Sequence, residues 1–209
     1  MSVSMSQGEG RLSRRDQLLG VALEAFSRRG YHATTVADII ASAGVARGTF
    51  YNYFTSKEQI FATLLDQLFE TLNGIIVPIE EGDPQAMYAQ VRGNFAGLCI
   101  RLHQNRPMTK LLLEKAVGLD GGAHEQLTSF YHRVMLRLST AVSDGQRLGI
   151  VRPGNCWIMA TFLLGMIKEA FYQQFMGTET VNPTTLAEEL FHFTAEGLLR
   201  AHPPLPSVR

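Results

Sequence analysis

No stretch of the chain approaches the ~18 consecutive apolar residues that a membrane-crossing helix needs, so no membrane partner is expected. The opening segment, MSVSMSQGEGRLSRRD, lacks the apolar core of a secretory signal. Its Ser, Gly and Gln content predicts a disordered lead over residues 1–11, with Met5 as an alternative start. Cysteine is scarce: Cys99 and Cys156 are the two in 209 residues. That fits buried free thiols in a reducing cytoplasm, with a redox-sensing pair as the alternative. A net charge is also missing, since 19 Lys/Arg balance 19 Asp/Glu, which argues against a non-specific nucleic-acid coat. The first sixty residues carry seven Lys/Arg against five Asp/Glu and the remainder twelve against fourteen, an asymmetry too small to prove anything.

Alternating apolar and polar residues are absent too. Almost every segment longer than about ten residues has helical periodicity instead, interrupted by Gly, Pro and Asn clusters. A first helix is predicted from Leu12 to Arg28, with Leu18, Ala22, Ala25 and Phe26 on one face and Gly30 as its C-terminal cap. Thr35 caps a short second helix, and Asp38 suits the positive end of its dipole. Gly44 then breaks the chain before another short helix from Ala46 to Tyr53. Ser56 and Gln59 form a capping box that opens a helix from Lys57 to Val77. Further helices are expected over about Gln85–Gln104, Met108–Val117, His124–Leu148, the apolar CWIMATFLLGMIKEAFYQQFM and Thr184–Ala201. The fold class is all-α, about nine helices: a helix-turn-helix head at 12–58, a larger bundle at 59–202 and a tail at 203–209.

The short segment VARGTFYNYFTSKEQIF carries the functional information. On a helical wheel Phe50 and Phe54 share the face that packs inward. Gly48, Thr49, Tyr51 and Asn52 face away, with Arg47 and Tyr53 on the flanks. That outer face suits a major groove, which admits one helix and offers donors, acceptors and thymine methyls. Gly48 lets the backbone approach the bases, Thr49 offers a hydroxyl and a methyl, and Arg47 reaches guanine or a phosphate. Tyr51 and Tyr53 hydrogen-bond phosphates. Lys57 and Thr35, each at a helix start, are placed to hold phosphates with the free backbone N–H groups.

TTVADIIASAGVARGTFYNYFTSKEQIF resembles the DNA-binding region of TetR-type transcriptional regulators, over Leu12 to Phe61. The matching elements are the Gly30-Tyr31 turn, the capping Thr35 and G-T-F-Y-x-Y-F-x-S-K-E. The resemblance implies nine helices, a homodimer built on the last two, a ligand pocket in the C-terminal bundle, and repression at a double-stranded DNA operator relieved by a small-molecule effector. It places the DNA contacts on Thr35, Arg47, Gly48, Thr49, Tyr51, Tyr53 and Lys57. Position 53 is often histidine in such proteins, and tyrosine keeps a phosphate bond without becoming cationic.

The apolar segment from Cys156 to Phe175 is predicted to be buried all round, part within the monomer and part against a partner, with Ala160 and Gly165 allowing close helix approach. Together with the final helix it suits an isologous four-helix interface. Candidate pocket residues are Phe95, Leu98, Met108, Leu112, Tyr131, Met135, Phe162 and Met166, each of which also reads as ordinary core. His103, Arg106, Glu114 and Lys168 are polar anchors or solvated groups. Enzyme readings lack support. HEQLT at His124 has no second histidine, Glu125 with His132 falls short of a zinc site, and GLDGGAHEQ has no phosphate-loop lysine. No metal and no cofactor are expected. An all-α small-molecule binding or interaction protein with a vestigial DNA head is the alternative.

Overall fold

The computed structural model describes residues 13–114, 121–176 and 181–197, as nine helices. They are α1 (Arg14–Arg29), α2 (Val36–Ala43), α3 (Arg47–Tyr51), α4 (Lys57–Ile75), α5 (Pro84–Gln104), α6 (Arg106–Glu114), α7 (Gly121–Arg147), α8 (Cys156–Met176) and α9 (Pro183–Gly197). The predicted disordered lead at 1–11 and the tail at 203–209 lie outside the described residues. So do the predicted helix ends at Val117 and Ala201.

Local chemistry accounts for the helix boundaries. Ser13 accepts from the Asp16 N–H at 3.1 Å to start α1, and Gly30 at φ 89° ends it. Thr35 and Asp38 make a reciprocal capping box on α2, and Gly44 in the left-handed region (φ 62°) closes that helix. The α4 start differs from the expected box. Ser56 accepts from the Gln59 N–H at 3.3 Å, but the Gln59 side chain reaches back to the N–H and hydroxyl of Thr55, one residue earlier. Asp83 caps α5, with Pro84 in its first turn, where a missing N–H costs nothing.

The core of the first helices runs on into the bundle. One continuous core joins Phe26 of α1, Ile39 of α2, Phe50 and Phe54 of the α3 region and Phe61 of α4 to Met108 and Leu111 of α6 and Leu127 and Phe130 of α7. α6 packs on α1, and α7 on α4. The α1–α3 end and the bundle therefore share buried surface, so displacement of α4 is felt at both.

Two further cores fill the bundle. α5 lies along α9, with Phe95 and Phe191 rings 6.3 Å apart and Arg92 gripping Glu188 through Nε and a terminal nitrogen. α7 lies along α8. Within one chain the Cys156–Phe175 segment is covered on one side. Met159, Ala160, Ile167, Phe171 and Phe175 face inward, but Trp157, Ile158, Phe162 and Met176 lie exposed on the outer side. Ala160 is fully buried, whereas Gly165 faces outward with open space where a Cβ would stand.

Candidate nucleic-acid interface

α3 has five residues, shorter than the predicted Ala46–Tyr53 helix, and Asn52 is its C-cap. The wheel nevertheless sorts its side chains as expected. Phe50 and Phe54 are 0% and 1% exposed, while Tyr51 and Tyr53 are 45% and 42% exposed. Arg47, Gly48 and Asn52 are exposed and Thr49 is half-buried. The Arg47 guanidinium lies 5.5 Å from the centre of the Tyr51 ring, one turn on, so the two present a joined cation and phenol. On the other side of α3, Arg15 of α1 covers the Phe54 ring at 5.4 Å.

Gly48 has no internal reason to be glycine. It is helical, and an added Cβ would meet nothing within 4 Å. Alanine would form the helix better by about 1 kcal/mol. The missing side chain makes sense if the surface must lie close against something outside the chain.

Thr35 and Lys57 flank this surface with different commitments. The Thr35 hydroxyl accepts from the Asp38 N–H at 3.1 Å and donates to Asp38 Oδ2 at 2.7 Å. Asp38 also accepts from the Thr35 N–H and pairs with Arg29 at 3.5 Å. Hydrogen bonds from Thr35 hold its carboxyl below the ordinary carboxylate value. Lys57 is half-buried and donates to the carbonyl oxygens of Tyr31 and Thr34 at 3.1 Å each, with its ammonium 4.4 Å from the centre of the Tyr31 ring. It braces the loop between α1 and α2, and only its remaining donor capacity can serve a phosphate. Sequence reasoning missed this brace, because its partners lie 23 and 26 residues away. It also missed Thr34, fully buried, whose hydroxyl donates to the Gly30 carbonyl at 2.9 Å.

Behind the head, the bundle holds two apolar cavities of about 120 Å³ and about 90 Å³. Of the predicted pocket residues, Phe95 and Leu98 line the larger, and Leu98, Leu112 and Tyr131 the smaller. Burial pushes the Tyr131 phenol up to about 12, so it is neutral at physiological pH. The other four do not line either cavity. Phe162 is 67% exposed on the outer side of α8 because the inward turn there is taken by Met159 and Leu163. Met108 packs in the core shared with the head, and Met135 and Met166 are held between helices. Among the four anchors, Lys168 borders the smaller cavity with its ammonium 4.5 Å from the centre of the Tyr131 ring, and Arg106 covers Phe175 at 4.7 Å. His103 is exposed, and the Glu114 side chain lies outside what the structure describes. The thiols sit in different cores. Burial pushes Cys99 up to about 12, and Cys156 donates to Gln146 Oε1 at 3.3 Å. His124, Glu125 and His132 are exposed, the last with its ring 6.1 Å from that of Trp157.

Comparison with known proteins bears first on the head. Residues 18–64 match the model of bacterial regulatory proteins of the tetR family. The transcriptional repressor KstR2 of Mycolicibacterium smegmatis is 47% identical over 62 residues, 30% of this chain and 30% of that protein. The matched stretch thus spans less than a third of that relative's own length. Over most of the chain the likeness is one of fold. A putative TetR-family regulator from Syntrophomonas wolfei superposes with a TM-score of 0.74 at 24% identity, covering 90% of this chain and 98% of that one. SmeT, solved with triclosan, gives 0.76 at 18% identity, covering 94% and 100%. Over residues 18–64, therefore, this chain is similar to the tetR family of bacterial regulatory proteins, and the nine-helix fold around that stretch is the fold of these solved regulators.

Proposed function

We propose that the protein is a homodimeric, ligand-responsive transcriptional repressor that sets two α3 surfaces in major grooves of a palindromic operator. The observation that carries this reading is the α3 surface: Phe50 and Phe54 buried beneath Arg47, Gly48, Thr49, Tyr51, Asn52 and Tyr53. In this reading Arg47, Gly48, Thr49 and Asn52 meet base edges. Tyr51, Tyr53, Thr35 and the remaining donor of Lys57 meet phosphates and set the register.

Dimer formation is supported by what one chain leaves uncovered. Trp157, Ile158, Phe162 and Met176 on α8 and Phe193 on α9, 74% exposed, are apolar groups without cover in the monomer. An isologous α8–α9 contact covers them and holds two heads at half-sites one helical turn, or a multiple, apart. Ligand response is supported by the two cavities, the smaller lined by Phe69, Leu72 and Asn73 of α4 and the larger by its C-cap Ile76, α4 being the helix that also enters the head core. To move the dimer from about 99:1 in favour of the DNA-competent state to the reverse, an effector needs about 5.5 kcal/mol of differential affinity.

The test is selection of duplexes from a random pool, followed by fluorescence-anisotropy titration of the selected site. Tyr51→Phe should weaken every duplex about evenly. Arg47→Ala should change which duplexes are preferred, by about 1–3 kcal/mol at the base pair it reads. Affinity for specific duplex should fall with log salt at about −0.9 per phosphate neutralised. If neither substitution alters binding to any duplex, the α3 surface is not the reading head.

A further inference from the structure

The C-terminal end of α4 is held by two side chains that also wall the cavities. Arg137 of α7 donates through Nε to Asn73 Oδ1 at 3.0 Å and through a terminal nitrogen to the Ile76 carbonyl. Asn94 of α5 donates to the Val77 carbonyl at 2.9 Å and accepts from the Val77 N–H at 3.3 Å. Arg137 borders both cavities, and Asn94 borders the larger.

The chemistry of the walls is one-sided. Ile76, Leu98, Leu138 and Ile167 are shared by the two cavities, so the partition between them is made largely of apolar side chains that can turn aside. Each space alone is small for an effector, whereas a narrow, elongated body can occupy both. Most polar groups of the larger cavity are already satisfied: Asn94 by Val77, Thr194 by the Leu190 carbonyl, and Asp144 by Arg147 at 3.5 Å. Arg137 differs. A guanidinium has five N–H donors, and these contacts use two. The carboxylate of Asp144 repels an anion from its own end of the larger cavity, leaving the Asn73 side as the place for one.

We propose that the effector is an elongated apolar molecule with an anionic end, and that Arg137 receives that end. This rests on the ligand-responsive reading and names the ligand class. The consequence for α4 follows from competition. An anion accepting from the remaining donors of Arg137 draws the guanidinium toward the cavity and competes with the Ile76 carbonyl and the Asn73 amide, two polar links between that end of α4 and α7. The other end of α4, about 28 Å away along 19 residues, carries the Lys57 brace to the head. Lys168 is the competing cation. It borders only the smaller cavity, and its ammonium lies against the Tyr131 ring.

The test is isothermal titration of the full chain with decanoate, decanol and decyltrimethylammonium, each below its micelle concentration. Decanoate should bind about ten- to a hundred-fold more tightly than decanol, the gain of a charge-assisted hydrogen bond, and the cation least tightly. Arg137→Met should erase the preference for decanoate, and Lys168→Met should keep it. Should Arg137→Met fail to fold, the three-headgroup comparison on the unaltered chain still decides the ligand class. Equal affinity for decanoate and decanol, or binding of neither, overturns it. Loss of the preference in Lys168→Met instead of Arg137→Met overturns the assignment to Arg137. Duplex anisotropy without any of these compounds, run in parallel, reports separately on the regulator reading.

Discussion

Gly48 and Lys57 lie ten residues or fewer apart, yet internal structure explains one and not the other. Nothing in the chain asks for glycine at 48. Gly48→Ala should therefore leave the melting temperature unchanged, or raise stability by up to about 1 kcal/mol, while weakening duplex binding. Thermal unfolding and anisotropy on the same sample check both halves. Lys57 answers an internal demand, because it donates hydrogen bonds to two carbonyl oxygens of the α1–α2 loop. Lys57→Met should cost about 1–2 kcal/mol in urea unfolding before DNA is added. A loss of DNA binding in that variant therefore counts as a phosphate effect only after the loss of stability is subtracted. At this scale the sequence was legible for the α3 surface, whose residues are neighbours on one turn. It was not legible for Lys57, whose side chain bonds to a loop more than twenty residues earlier.

Among the elements, α2 depends most on its first turn. It has eight residues, too few to be stable alone, and the Thr35–Asp38 box satisfies donors its backbone cannot. Thr35→Ala should cost about 1 kcal/mol, read by chemical unfolding. The same box sets an acid limit. Hydrogen bonds from Thr35 lower the Asp38 carboxyl below its ordinary 3.8 in the folded chain. Its contribution is thus fully present above that value and is lost as pH falls through the lowered one. Unfolding curves should show a loss of stability in this acid range that is smaller in Asp38→Asn. The apolar α8 shows the opposite limit of element-level reading. Its composition announces burial on every side, but composition alone does not say which molecule does the burying.

For the whole molecule, the exposed stripe of α8 and α9 is the test. Phe162→Glu with Phe193→Glu places two carboxylates on the uncovered apolar face without touching the inner cores. The expected outcome is a monomer in sedimentation velocity with an unchanged helical circular dichroism spectrum. Operator affinity should fall steeply, because one head then reads one half-site. A variant that stays dimeric would put the interface elsewhere. The pairing of α9 with α5, and of α8 with α7, is what leaves this stripe outward.

By itself the sequence determined what depends on neighbours within a turn or two: the caps at Thr35 and Ser56, the breaks at Gly30 and Gly44, and the split between Phe50/Phe54 and the polar side of α3. These follow from 3.6-residue periodicity and from side-chain bonds to the nearby backbone, which any short window of sequence contains. Tertiary structure alone decided that one core runs from α1 into α7, that Phe162 faces out while Leu98 faces a cavity, and that Arg137 ties down the end of α4. Apolar helix faces of similar composition can pair in many ways. The choice among them is made by shape and by a few distant polar contacts, which a linear pattern does not record.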